Sequence, residues 1–402
     1  MVQTRLSGGF VHPFSPAARP DPYPALAWLR ENAPLFRDQH SGLYYATDHE
    51  SVTQILRDRR FSAAGGQLER DRDEPLPPLM LNTDPPEHHR LRAPGLLLLG
   101  PAAVADHLGS IADEATALLD GLAGLDGLTG RGEAEVASEL GEPFATLVLA
   151  TVLRIPPGDR AAFAALARQA SVNLDPMAGP AATSVGRRAS ALITRYLDGN
   201  TERVTAADVD APLARLARDP RLSRTEMLGI LSLIVIGGFE PLAALIGNAL
   251  ALLLTRPDGP AALAALRDAD QITAERAVDE LLRLESPIPF VARVVAEPVA
   301  LPGGQLEPGA RVLAMLAAAN RDPAVFTRPD EPVLDRTPNP HLAFGGGGHF
   351  CLAGPLVRTA GAVFLRELAR RFPGARLAPG EPPEWSDGLI PRRVRRLRVV
   401  LS

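Results

Sequence analysis

Phe344-Gly345-Gly346-Gly347-Gly348-His349-Phe350-Cys351-Leu352-Ala353-Gly354-Pro355 is the stretch on which the fold turns. Consecutive glycines let a backbone approach a flat, closely packed group at distances a Cβ forbids. Cys351 stands just ahead of a long amphipathic segment opened by Gly354-Pro355, with proline where a first helical turn tolerates it. The positive end of that helix favours thiolate over thiol. Taken alone, a single cysteine is a small buried hydrophobe and a glycine run a surface loop. Spacing changes the balance: Phe344 lies seven residues before Cys351, Gly347 lies between them, and His349 is two before the cysteine.

Composition removes much other chemistry. All 42 basic residues are arginine, so a Schiff-base lysine, a pyridoxal-phosphate enzyme and a Walker phosphate loop are excluded. Cys351 is the only cysteine, which excludes an internal disulfide, a protein-only iron–sulfur site and a multi-cysteine zinc site. The net charge of -5 leaves no electrostatic footprint for nucleic acid. Met1–Pro20 has Arg5, Pro13 and Pro16 but no apolar core of signal-peptide length, so secretion is not expected and a reducing cytoplasm fits.

The 402 residues carry no repeat period and no linker tract, which predicts one continuous domain over 1–402. Short helices are expected at Pro24–Asn32 and His49–Asp58, with a strand at Leu43–Ala46 between them. Alanine- and leucine-rich helices dominate 102–266. Strands follow at Val291–Leu301 and Arg311–Met315, then a last helix over Leu352–Phe372 and a basic C-terminal strand pair. The class is mainly α with a minor β region.

Leu228–Leu254 is apolar for long enough to span a bilayer, at about 20 residues. Glu240 near its centre, Pro241, Asn248 and a Ser223/Glu226 capping box argue for a buried core helix instead. From Arg224 to Thr255 it would be roughly 48 Å long. Gly237, Gly238 and Pro241 predict a local break, because each glycine costs about 1 kcal/mol and an interior proline about 3. Broken helices of this kind lie where a ligand approaches the backbone.

The cysteine loop resembles the haem-binding loop of the cytochrome P450 family, the haem-thiolate monooxygenases, of soluble bacterial type. The resemblance runs along essentially the whole chain. Asp84-Pro-Pro-Glu-His88-His-Arg90-Leu-Arg92 is similar to the start of the family's helix C, with His88 and Arg92 on one helical face. Glu280-Leu-Leu-Arg283 matches its Glu-x-x-Arg pair, followed at family-like intervals by Ser286–Arg293 and Ala318–Pro323. The resemblance implies haem b between the long central helix and the Cys-loop and last helix. It makes Cys351 the iron ligand, Phe344 a residue of the haem loop, and His88, Arg92, Arg293 and His349 contacts of the propionates. Glu280 and Arg283 lock the core. Buried propionates need such donors, since an unpaired buried charge costs several kcal/mol.

Three departures matter. Ala353 stands where the family usually has glycine. Ala93-Pro94-Gly95 predicts a kink or an early end of helix C after Arg92, and Leu96–Leu99 offers no basic residue for a redox partner. Gly237-Gly238-Phe239-Glu240-Pro241 resembles the family's oxygen-binding groove, with Gly238 and the acid Glu240 present but Pro241 where threonine is usual.

Function is therefore expected to be oxidation, by hydroxylation or epoxidation, of a small organic, specialised-metabolite substrate with O2. Electrons come from a separate ferredoxin and ferredoxin reductase, as the resemblance implies. Pro241 keeps oxidative coupling, desaturation and peroxide-driven oxidation open, and a non-catalytic haem sensor or carrier remains a lesser alternative. By resemblance the substrate walls are Phe61–Met80, Leu233–Gly237, Ile288–Val291 and Leu389–Ile390, in particular Met80, Leu233, Ile236, Gly237, Pro289, Phe290, Val291 and Ile390. No membrane partner is expected.

Overall fold

The structure is a computed structural model that describes residues 11–64, 79–129 and 132–402, with backbone alone at 123–129. Helices form most of it, and seven of them position the site: α1 (Glu87–Leu99), α2 (Glu142–Leu153), α3 (Arg160–Ser171), α4 (Pro180–Ala207), α5 (Arg224–Leu254), α6 (Gln271–Leu284) and α7 (Gly354–Arg371). A small sheet packs beside them in the order β1 (Leu35–Arg37), β2 (Tyr44–Ala46), β5 (Arg311–Ala314), β4 (Val291–Val295), β3 (Phe61–Ser62).

The central helix α5 opens on the expected capping box, in which Ser223 accepts from Glu226 N–H and the Glu226 carboxylate accepts from the Ser223 backbone. Its C-terminal half is apolar all round, and every residue from Leu242 to Ala251 is buried. Such a helix belongs in a core. Helices α2, α3 and α4 pack along it, and α6 with α7 close the other side.

Four local expectations are corrected. Helix α5 continues through Gly237, Gly238 and Pro241 without a break in its assignment. Helix α1 likewise runs on past Pro94 to Leu99. The proline costs about 3 kcal/mol, whereas Leu98 and Leu99 are almost fully buried, and burying each contributes roughly 1.5–3 kcal/mol. Packing therefore outweighs the missing backbone bond. The strand expected over Val291–Leu301 is two strands, Val291–Val295 and Val299–Leu301, parted at Pro298, which has no N–H to give a ladder. The C-terminal strands Val394–Arg396 and Arg398–Val400 do not pair with each other; one joins Glu384–Trp385 and the other Glu133–Glu135. Only Leu397 separates them, which leaves no room for a reversing turn.

Strand alternation decides what β4 presents. Arg293 pairs with Val312 and Val291 with Ala314, so these two share one face. Phe290 and Ala292 take the other and pack with Leu26, Tyr45 and Met315.

Candidate active site

The cysteine loop is built by positive-φ glycines. Gly345 and Gly347 have φ of 70° and 61°, the region that side chains avoid. A Cβ on Gly347 would lie 2.2 Å from the Leu56 carbonyl, so the loop rests directly on the helix His49–Arg57. The Cys351 N–H closes the loop on the Phe344 carbonyl at 2.8 Å. Phe344 is buried, with the Arg358 guanidinium 4.6 Å from its ring centroid. Helix α1 meets the loop where Gly95 faces Leu352, at 2.7 Å from an added Cβ.

Burial pushes the Cys351 thiol up, while backbone N–H groups of Ala353 and Gly354 and the charges of Arg92 and Arg358 pull it back. A thiol so placed awaits a cation that offsets desolvation, as a metal does. Ala353 itself has φ −86°, so its methyl group is unstrained where glycine is usual.

Near it lies a cluster of histidine and arginine donors. The rings of His88 on α1 and His349 in the loop stand 4.1 Å apart. Both ring nitrogens of His88 and Nε2 of His349 are buried with no hydrogen-bond partner among the described residues. Arg92 acts on both histidines, as does Arg293 from β4. Arg293 is 8% exposed and donates only to the Ala292 carbonyl, with no carboxylate in ion-pair range among the described residues. Desolvation first, then these arginines, push His88 and His349 down to about 4. Buried polar groups are ordinarily satisfied; the Asp84 carboxylate acts on His88, His349 and Arg293, yet none of the four donors has an ion pair among the described residues. They fit the two carboxylates of a haem, and Cys351 fits its iron.

A cytochrome P450 family profile matches residues 205–384. Nocardicin C N-oxygenase of Nocardia uniformis subsp. tsuyamanensis is 34% identical, over 96% of this chain and 98% of that protein. The chain belongs to the cytochrome P450 family. Cytochrome P450 monooxygenase PikC of Streptomyces venezuelae is 31% identical over 94% of this chain and 92% of its own. A crystal structure of P450BioI in complex with an acyl carrier protein ligated to hexadec-9Z-enoic acid has a TM-score of 0.85 at 26% identity, covering 96% of this chain and 100% of that one. This chain is a cytochrome P450 monooxygenase of bacterial type, and haem is its cofactor.

In this cytochrome P450 the stripe expected to face substrate lies on α5. Leu233, Ile236 and Pro241 are part-exposed and Gly237 is exposed, one stripe at helical spacing beside the buried Ile234, Val235, Phe239 and Glu240. Gly238 instead faces α2, where an added Cβ would meet Leu149 at 3.3 Å. Met80 is buried in the core shared with α5, and Leu79 presses on Gly229. Val291 shares the Arg293 face of β4. Four expected wall residues sit elsewhere: Pro289, Phe290 and Leu389 line a small pocket with Phe14, and Ile390 packs on that same N-terminal cluster. Alternation along the strand turns Phe290 away from the Arg293 face. Residues 65–78 of the expected wall lie outside the described residues.

Glu280 and Arg283 form a fully buried two-point pair at 2.8 and 2.9 Å. Arg336 also reaches Glu280, at 2.9 Å. Nothing in local spacing pointed to Arg336, since a lone arginine in a loop carries no motif. Glu240 is buried and paired with Arg393, which the run of arginines at 392–396 concealed among look-alikes.

Proposed function

We propose that this enzyme binds haem b through Cys351, with His88, Arg92, Arg293 and His349 on the propionates and Phe344 in the enclosing loop, and inserts oxygen into a small organic substrate. Hydroxylation or epoxidation is the leading reaction. A ferredoxin and its reductase supply the electrons, and the chain acts as a single domain, 1–402, in the cytoplasm. One observation carries the reading: a half-buried thiol stands near converging His and Arg donors that have no ion-pair partner among the described residues. When bound, the haem supplies oxygen activation, which a thiolate ligand promotes by donating electron density.

The protein's own residues do the remaining work. Arg92 and Arg293 neutralise carboxylates and orient the macrocycle; Leu233, Ile236, Gly237, Val291 and Met80 offer an apolar wall that excludes water from the reacting carbon. Glu240 holds a proton near the α5 stripe. Burial raises its carboxyl above the usual range, against the pull of Arg393. Pro241 offers no hydroxyl beyond it, so a polar group on the substrate or solvent completes the proton path.

That missing hydroxyl favours a second reading, oxidative coupling, desaturation or peroxide-driven oxidation on the same site. The test is reconstitution with a ferredoxin, its reductase and O2, in parallel with hydrogen peroxide alone. Product carrying one oxygen atom from labelled O2 supports insertion; coupled or desaturated product without label supports the second reading. A preparation with no bound haem overturns both.

A further inference from the structure

Four charged side chains line up between solvent and the α5 stripe. The Glu240 Oε2 is 3.2 Å from Nε of Arg393, without hydrogen-bond geometry to any described group. Arg393 Nη1 also reaches Glu142 Oε1 at 3.8 Å. Glu142 Oε2 accepts from Arg168 Nε at 2.8 Å and from its Nη2. The Arg168 side chain is half exposed, at 50%, while those of Glu142 and Glu240 are 11% and 5% exposed. The line thus alternates in charge from solvent on α3, through α2 and the approach to the strand Val394–Arg396, to the residue next to Pro241.

Glu142 is placed by a local irregularity. Val136–Gly141 forms a wide turn in which the Glu142 N–H reaches back five residues to the Ala137 carbonyl; such turns cluster at functional sites. Gly141 then lets α2 lie against α5, because a Cβ there would meet the Ala243 carbonyl at 2.8 Å. Stability alone is a poor reason for this arrangement, since well-packed apolar groups usually serve as well as buried ion pairs. Glu240 also retains an oxygen with no hydrogen-bond donor, where a purely structural carboxylate would be satisfied.

We propose that Glu142 and Glu240 form a two-carboxylate proton route from solvent at Arg168 to the α5 stripe at Gly237 and Pro241, with Arg393 as the fixed charge between them. The route rests on the monooxygenase reading above and supplies what Pro241 cannot. Glu142 takes a proton from solvent and passes it through water to Glu240, which releases it at the stripe; each carboxylate gains one proton and returns one. The guanidinium groups carry no proton, being unable to lose one. Burial, and after it the charge of Glu142, raise the Glu240 carboxyl above the usual range, and Arg393 and Arg168 oppose them. Glu142 is a positioning and relay residue, not one that touches substrate.

The test compares the haem-loaded protein with Glu142→Gln and Glu142→Asp, reduced in air by a ferredoxin and its reductase, a reaction that draws its protons from solvent, with reductant consumed and peroxide released as the readout. Expected for Glu142→Gln is a loss of about tenfold or more, within the range of general acid–base catalysis, with a larger solvent isotope effect and unchanged haem content. Glu142→Asp should recover most of the rate. Infrared titration adds a readout independent of turnover: in Glu142→Gln the Glu240 carboxyl should deprotonate at lower pH. Arg168→Gln removes a charge that holds Glu240 down; it serves if Glu142→Gln does not fold, and the Glu240 carboxyl should then deprotonate at higher pH. Equal rates and isotope effects in native and Glu142→Gln protein would overturn the route while leaving the haem-thiolate reading intact. Equal losses in the Gln and Asp variants, with no infrared shift, would also overturn it. A native protein without bound haem or a thiolate spectrum overturns the reading beneath it.

Discussion

The imidazoles of His88 and His349 lie with their centroids 4.1 Å apart and their planes tilted by 41°, one from the first turn of α1 and the other from the cysteine loop. Neither ring can charge cheaply there, because His88 is buried and His349 half-buried, each beside the other and beside Arg92 and Arg293. For His88 the folded value near 4 lies below the ordinary 6.5 of an unfolded chain. Between those values the unfolded chain binds a proton that the fold refuses, so stability present above about 6.5 is lost as pH falls toward about 4. Haem-stripped protein should therefore melt at a lower temperature at pH 5 than at pH 7. His88→Asn should flatten that dependence, and an unchanged slope in the variant would count against the burial.

Anions supplied by haem should relieve the same strain. Arg92→Gln and Arg293→Gln each leave a carboxylate less neutralised, and haem retention should fall by roughly tenfold per variant, in line with 1.5–3 kcal/mol for hydrogen bonds to charged groups. The double variant should be worse than either. Haem transfer to apomyoglobin measures this; identical transfer rates in both single variants would make the arginines ordinary structural residues.

Iron ligation has one candidate thiol. Cys351→Ala should abolish the far red-shifted absorption of the reduced carbon-monoxide complex, which only a thiolate produces. Persistence of that band would sink the assignment.

Glu280 and Arg283 predict stability rather than chemistry. Both are fully buried, and Arg283 also donates to the Asn320 and Pro329 carbonyls at 2.8 and 2.6 Å. Arg283→Met should destabilise by about 3–5 kcal/mol, the usual consequence of breaking a buried pair on one side. Arg336 shares Glu280 and should cost less, because Arg283 remains as its partner. Denaturant unfolding of both variants checks the order.

Legibility in the sequence followed the range of the signal. The cysteine loop, the capped start of α5 and the His88/Arg92 face were readable because a short spacing specifies each. Pro94 and Pro241 misled because a local propensity rule cannot see Leu98, Leu99 or the buried half of α5, whose tertiary packing outweighs a lost backbone bond. Phe290 was misplaced because its face depends on strand register, set by pairing with Arg311–Ala314 rather than by its neighbours. The Arg168, Glu142, Arg393 and Glu240 line was invisible because its members come from separate elements, with no motif linking them.

Pro241 carries the last prediction. Helix α5 continues through it, so its missing N–H leaves the Gly237 carbonyl without the donor four residues on, at the one exposed position of the central stripe. A substrate hydroxyl or amine can meet that carbonyl and at the same time stand where a threonine hydroxyl would. Productive turnover should accordingly depend on a hydrogen-bonding group near the reacting carbon. Pro241→Thr restores both the N–H and a hydroxyl, and should raise product formed per electron more for wholly apolar substrates than for polar ones. The measurement is product against reductant consumed and peroxide released, for both substrate types and both proteins. Efficient, equal coupling by the unmodified enzyme on apolar substrates would refute the dependence, and would leave Glu240 with solvent as a sufficient proton source.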